Sequence, residues 1–201
     1  MTMQKKWGFI INPVAGNGYA RKYSDKVSQM AKKYDLDASI VHTERRMHAA
    51  EIAAQMADSG FTHIIAVGGD GVINEAATGI LDRDNITFGV VSAGTGNDFA
   101  PVLGFSDHFT DDDWHALLQN DTIRMDVGKC NEHYFLNGMG LGFDAQVATE
   151  NYREDSELKR GSGTKYFWHI IKNILFYKER FFKSETNGYT REAVTFMKTI
   201  G

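Results

Sequence analysis

Asp70 stands among three glycines in the stretch VGGDGVINEAATG, Val67–Gly79, where an apolar run gives way to a helical pattern. Glycines at the start of a helix let main-chain N–H groups approach a phosphate, and the helix end adds partial positive charge. Gly68, Gly69 and Gly71 are therefore expected to combine positive φ with close approach. An aspartate would repel a bare phosphate. Asp70 fits such a loop only with a cation nearby or a proton to accept, and both belong to phosphoryl transfer. The competing reading is a tight strand-to-helix turn in which Asp70 caps the helix.

Two further loops carry the same chemistry. NPVAGNG, Asn12–Gly18, offers Asn12 at a strand end, a turn at Pro13, and an open backbone at Gly16 and Gly18. Arg21 and Lys22 follow closely enough to offset phosphate charge. AGTGNDFA, Ala93–Ala100, adds Gly94, the Thr95 hydroxyl, Gly96, the Asn97 amide and Asp98. Other nucleotide motifs are excluded. There is no GxxxxGK[ST], GMGLGF and GTGNDF both carry Phe where a dinucleotide fingerprint needs its last glycine, and HRD and DFG are absent.

Positioning these loops requires strands before them and helices after. Lys6–Ile11, Ala38–Val41, His63–Val67 and Thr87–Val91 read as strands. Tyr19–Tyr34, His48–Ser59 and Gly71–Leu81 read as helices, with Thr43 available to cap the second. Strands alternating with helices argue for a parallel sheet covered on both faces, whose ligands gather beyond the carboxyl ends of the strands. All three glycine loops follow strands, so one edge can gather them.

After Asp107 the pattern changes. DDDWHALLQ, after Thr110, is a short capped helix. Ile123–Val127 and Tyr134–Asn137 read as antiparallel strands around a KCNEH turn. Gly142–Glu150 and Tyr166–Tyr177 read as helices, and Ala193–Thr199 as a strand. The expected organisation is an α/β nucleotide-binding domain over 1–124 and a β-rich domain over 125–201.

Composition sets outer bounds. A hydrophobic share of 42% supports a packed core, and a formal charge of −4 leaves no global pull toward nucleic acid. Cys130 is the single cysteine, so an intrachain disulfide is excluded. WGFII is too short for a signal-peptide core, and no stretch reaches the length of a membrane span. The expectation is a soluble, cytoplasmic chain. The scattered histidines lack zinc spacing.

NPVAGNG, GGDGVINE and GTGNDFA, in that order, resemble the catalytic domain of bacterial diacylglycerol kinases and the related sphingosine kinases. NAD kinases and phosphofructokinases resemble them more distantly through GGDG. The resemblance covers roughly Ile10–Ala148. It implies a phosphofructokinase/NAD kinase-like α/β domain followed by a β-rich one, with ATP, Mg²⁺ and a lipid alcohol meeting in the cleft. Asn12, Gly16 and Thr43 would contact the nucleotide, as would Gly68, Gly69, Gly71, Gly94, Thr95, Gly96 and Asn97, with Glu75 on the helix behind. Asp70 would be catalytic and would share a metal-organising network with Asp98 and Asp126. Asp144, in NGMGLGFDAQV, would face the lipid. Bland alternatives stand beside these roles: Asp126 as a strand-end partner of Arg124 or Lys129, Asp144 as an N-cap, and Glu75 as an i,i+4 partner or solvent-facing.

Two departures accompany the resemblance. Val72 replaces the Thr usual after GGDG. The family's second domain continues past residue 201 and carries a further acidic residue, so the β-rich domain is expected to be incomplete. The expectation is then either a truncated gene product or a chain that pairs its open sheet edge with a second copy. Leu158–Lys183 interleaves basic and aromatic residues. It reads either as an interfacial helix, peripheral at the inner membrane face, or as the preferred sheet-covering helix. The alternatives to an ATP-dependent lipid kinase of phospholipid biosynthesis are NAD kinase and a catalytically inactive nucleotide-binding remnant.

Overall fold

Apolar runs that alternate with amphipathic segments place their strands inside, and the computed structural model shows that arrangement. It describes residues 5–106, 108–119, 122–143, 145–146, 180–186, 188–195 and 197–200. They belong to two compact units, Met1–Leu136 and Asn137–Gly201.

In the first unit β1 (Lys6–Ile11), β2 (Asp37–His42), β3 (His63–Gly68) and β4 (Thr87–Ser92) form a parallel sheet of order β2-β1-β3-β4. Central β1 and β3 are almost wholly apolar and buried, whereas edge strand β2 alternates and stays largely exposed. Alternation divides the core in two. Ile10, Ile64, Ala66 and Val90 pack with Ile52, Ala53 and Met56 of α2 (His48–Asp58) and Ile73 and Ala76 of α3 (Asp70–Thr78). Phe9, Ile11, Ile65, Val67 and Val91 pack with Val27 and Met30 of α1 (Tyr23–Lys33) and Trp114 and Leu118 of α4 (Asp111–Gln119). Each fully buried aliphatic side chain contributes about 1.5–3 kcal/mol, so both faces hold the sheet.

The chain runs from β1 to its neighbour β2, then crosses β1 to reach β3 on the other side. The loops after β1 and β3 therefore diverge at a switch point, the usual ligand position in open α/β sheets. Thr43 lies at the same edge, its N–H bonded to the Ile11 carbonyl (2.9 Å). It does not cap α2, whose cap residue is Met47 in left-handed conformation (φ 61°). The helix expected from Tyr19 starts as 3-10 structure at Ala15–Lys22 and becomes α-helical only at Tyr23. Gly16, Asn17 and Gly18 (φ 57°, 57° and 87°) supply the reason, since three left-handed residues in succession cannot propagate an α-helix.

α4 begins with a reciprocal cap. The Asp113 N–H donates to Thr110 Oγ1 (3.2 Å), while Asp113 Oδ2 accepts the Thr110 N–H and hydroxyl (both 2.7 Å). Ser106 N–H also donates to Asp113 Oδ1 (3.2 Å), which fixes the approach to the helix.

The expected strand over Ile123–Val127 is irregular. Its alternating Ile123, Met125 and Val127 are exposed, with no partner strand among the described residues. The antiparallel hairpin lies a few residues later, β5 (Gly128–Cys130) with β6 (His133–Phe135), turning at Asn131 (φ 52°). In the second unit β7 (Met139–Gly142) pairs antiparallel with β10 (Met197–Ile200), and β8 (Arg180–Thr186) with β9 (Tyr189–Thr195). The single strand expected over Ala193–Thr199 thus divides between two ladders. The basic aromatic segment 158–183 lies outside the described residues except at Arg180–Lys183, which is strand rather than helix.

Candidate functional site

Strand pairing brings the ends of β1, β3 and β4 level, and the glycines let the loops after them interlock. The Asn12 N–H donates to the Val67 carbonyl (3.0 Å), and the Ala93 N–H to the Gly68 carbonyl (2.8 Å). A Cβ on Gly16 would come within 2.5 Å of the Ala93 carbonyl oxygen, so loop one passes directly against loop three. A Cβ on Gly94 would overlap the Gly69 Cα, and one on Gly68 would overlap Val72. All three loops of the nucleotide reading therefore meet.

The glycines do not all serve in the expected way. Positive φ occurs at Gly16, Asn17, Gly18 and Asn97, while Gly68, Gly69 and Gly71 have ordinary backbone angles. What Gly68 and Gly69 supply is room for close approach. Gly71 is exposed, and a Cβ there would meet nothing within 4 Å, so its face of the α3 start opens to solvent. No side chain caps α3. The N-cap, Gly69, thus offers the first N–H groups no side-chain acceptor, the arrangement that suits anion binding in helices of adequate length.

Asp70 is the first residue of α3, yet its carboxylate reaches across to loop three. It accepts the Asp98 N–H (Oδ2, 3.2 Å) and the Phe99 N–H (Oδ1, 3.1 Å). The cap reading is replaced by a bridge between loops. Asn97, left-handed and only 6% exposed, clips its own loop by accepting the Gly94 N–H (2.8 Å) and donating to the Gly94 carbonyl (3.3 Å). The sequence marked Asn97 as a nucleotide contact; its clip role is legible only from the left-handed backbone. Asn12 similarly accepts the Val14 N–H on its Oδ1 (3.2 Å), an Asx turn that sets loop one.

Asp70 and Asp98 share one corner. A Cβ on Gly96 would lie 3.2 Å from Asp70 Oδ2 and 3.8 Å from Asp98 Oδ2. Paired carboxylate oxygens suit a hard divalent cation. Asp126 lies exposed in the irregular segment before β5. No group of three or more His, Cys, Asp or Glu able to hold a metal occurs among the described residues, so the expected Asp70–Asp98–Asp126 cluster is not assembled there. Thr95 is exposed on loop three, and Glu75 is half-buried on α3. Asp144 lies outside the described residues.

One residue absent from the sequence reading also ties this region together. Asn74, one turn after Asp70, donates its amide to the Tyr134 carbonyl on β6 (3.2 Å) and anchors α3 to the hairpin. Behind loop one, the buried Tyr23 hydroxyl donates to the Ser92 carbonyl (3.4 Å). Burial first, then neighbouring Tyr19, push the Tyr23 phenol well above its usual range, so it stays neutral. A shallow cleft of about 290 Å³, lined by Lys5, Trp7, Asp37 and Leu118 among others, sits at the opposite, N-terminal end of the strands. It is remote from the glycine loops.

The Diacylglycerol kinase catalytic domain family matches residues 6–130. A diacylglycerol kinase of Staphylococcus saprophyticus is 30% identical over 176 residues, spanning 86% of this chain and 55% of the relative. One from Staphylococcus aureus is 31% identical over 177 residues, spanning 86% and 53%. The chain thus spans about half the length of these relatives. A crystal structure of a diacylglycerol kinase from Bacillus anthracis superposes with a TM-score of 0.70 at 24% identity, covering 99% of this chain and 64% of that one, a likeness of fold.

Proposed function

The chain belongs to the diacylglycerol kinase catalytic domain family, and from that premise we propose that it takes part in ATP-dependent phosphoryl transfer to the hydroxyl of diacylglycerol or a related lipid alcohol. The observation that carries the proposal is the meeting of three glycine loops at one sheet edge, with the Asp70 carboxylate between them. Loop one and the uncapped start of α3 would hold phosphates through main-chain N–H groups. Phosphoryl transfer is achieved mainly by positioning and charge stabilisation, and three interlocked loops favour the first.

Asp70 has a defined part in this scheme. A carboxylate has roughly four acceptor positions, and the Asp98 and Phe99 N–H groups take two. A further position can accept the proton of the attacking hydroxyl, so the bridge that orders loop three also aims the base. Mg²⁺ suits the Asp70–Asp98 pair and would neutralise charge on the transferring phosphate when bound.

The test is transfer of the γ-phosphate of ATP to diacylglycerol in mixed micelles, comparing wild type with Asp70→Asn. A loss of at least roughly a hundredfold is expected. Equal activity in the two proteins, or transfer to NAD in place of lipid, would overturn the proposal.

A further inference from the structure

Tyr19 is an aromatic residue at the mouth of loop one. Its side chain is 48% exposed, although it follows directly on the left-handed Gly16–Gly18 turn and belongs to neither core cluster. An exposed ring beside a phosphate loop invites the question of what it serves.

Its neighbours hold it in place. The Tyr19 ring meets Tyr23 edge-on, with centroids 5.7 Å apart and planes at 79°. Tyr23 is itself fixed: it is buried, hydrogen-bonded to the Ser92 carbonyl, and packed on Trp114 with centroids 6.3 Å apart. Lys22 Nζ lies 5.5 Å from the Tyr19 ring centroid. A Cβ on Gly16 would lie 3.2 Å from Tyr19 Cβ and 2.5 Å from the Ala93 carbonyl, so the ring is rooted where loop one crosses loop three. A held, half-exposed aromatic with a cation over one face, rooted at a phosphate cradle, has the features of a stacking surface for a heterocyclic base on its other face.

We propose that Tyr19 is the platform on which the base of the nucleotide stacks, on the ring face that Lys22 does not cover. The proposal rests on the phosphate-loop reading and adds a base-recognition residue to it. Stacking on a π-face tolerates different bases, so Tyr19 contributes affinity for a nucleotide over bare polyphosphate rather than a choice between purines. The hydroxyl has no part in stacking, and phenylalanine should serve equally well.

Calorimetric titration of wild type, Tyr19→Ala and Tyr19→Phe with ATP and with inorganic tripolyphosphate tests it. Tyr19→Ala should bind ATP roughly tenfold more weakly, about 1.4 kcal/mol, while tripolyphosphate binding stays unchanged. Tyr19→Phe should match wild type for both ligands. Equal ATP affinity in wild type and Tyr19→Ala overturns the platform, as does an equal loss for both ligands, which would mark Tyr19 as a prop for the loop. Wild type that binds tripolyphosphate and ATP with the same affinity overturns it too. Failure of wild type to bind either ligand overturns the phosphate-loop reading beneath it.

Discussion

Gly71→Ala separates what the fold needs at the α3 start from what a phosphate needs there. Gly71 is the second residue of a nine-residue helix, has no positive φ, and leaves its Cβ direction open for 4 Å. Replacing such a helical glycine by alanine removes unfolded-state entropy and stabilises by about 0.4–1 kcal/mol. For a chain of this size that raises Tm by about 1–4 °C. The same methyl occupies the space through which a phosphate would approach the uncapped N–H groups. Affinity for ATP or tripolyphosphate should therefore fall at least about tenfold, or about 1.4 kcal/mol. Differential scanning calorimetry and titration on one preparation read both effects. A rise in Tm with unchanged affinity would show that no phosphate sits over Gly71, and the reasoning about α3 would be wrong.

Gly94→Ala should act in the opposite sense on stability, because its Cβ overlaps the Gly69 Cα and lies 2.9 Å from Asn97 Oδ1. Backbone on the facing side cannot yield cheaply, and a loss of about 1–3 kcal/mol in urea denaturation is expected; unchanged stability would contradict the close packing of loops two and three. Asp113 gives a pH dependence. Burial raises its pKa, but hydrogen bonds from Thr110 and Ser106 outweigh this and hold the carboxyl below its ordinary value. With the folded pKa depressed, the stabilisation is complete above the unfolded value near 3.9 and disappears as pH falls through the folded value. The stability difference between wild type and Asp113→Asn should therefore be greatest at neutral pH and shrink below about pH 4, as read by denaturation across pH. A difference constant down to pH 2 would contradict the ionised cap.

Much of the first unit was legible because strand and helix periods differ. Phe9–Ile11 and Ile64–Val67 are unbroken apolar runs that only a doubly covered sheet can bury, and they are its central strands. The three loops were placed correctly because each follows a strand of that sheet, two of them central and the third the edge strand β4. Two features of the site depend on contacts that no local pattern encodes. Asp70 is bridged to residues 28 and 29 positions later, so its role as a tie was hidden beneath its proximity to a helix start. Asn97 takes the left-handed conformation expected of glycine because its side chain repays the strain with two bonds to Gly94. The misplaced strand at Ile123–Val127 has a different origin. Alternation signals a half-buried strand only where a partner strand stands alongside, and the hairpin partners begin at Gly128.

The central claim is that loops after three strands form one phosphate cradle. Amide chemical shifts of the ¹⁵N-labelled chain during an ATP titration test it most directly. Gly16, Gly71 and Thr95 should shift together along one binding curve, while Lys5 and Asp37, at the far end of the sheet, stay fixed. Shifts centred on Lys5 and Asp37, or confined to one of the three loops, would contradict the account.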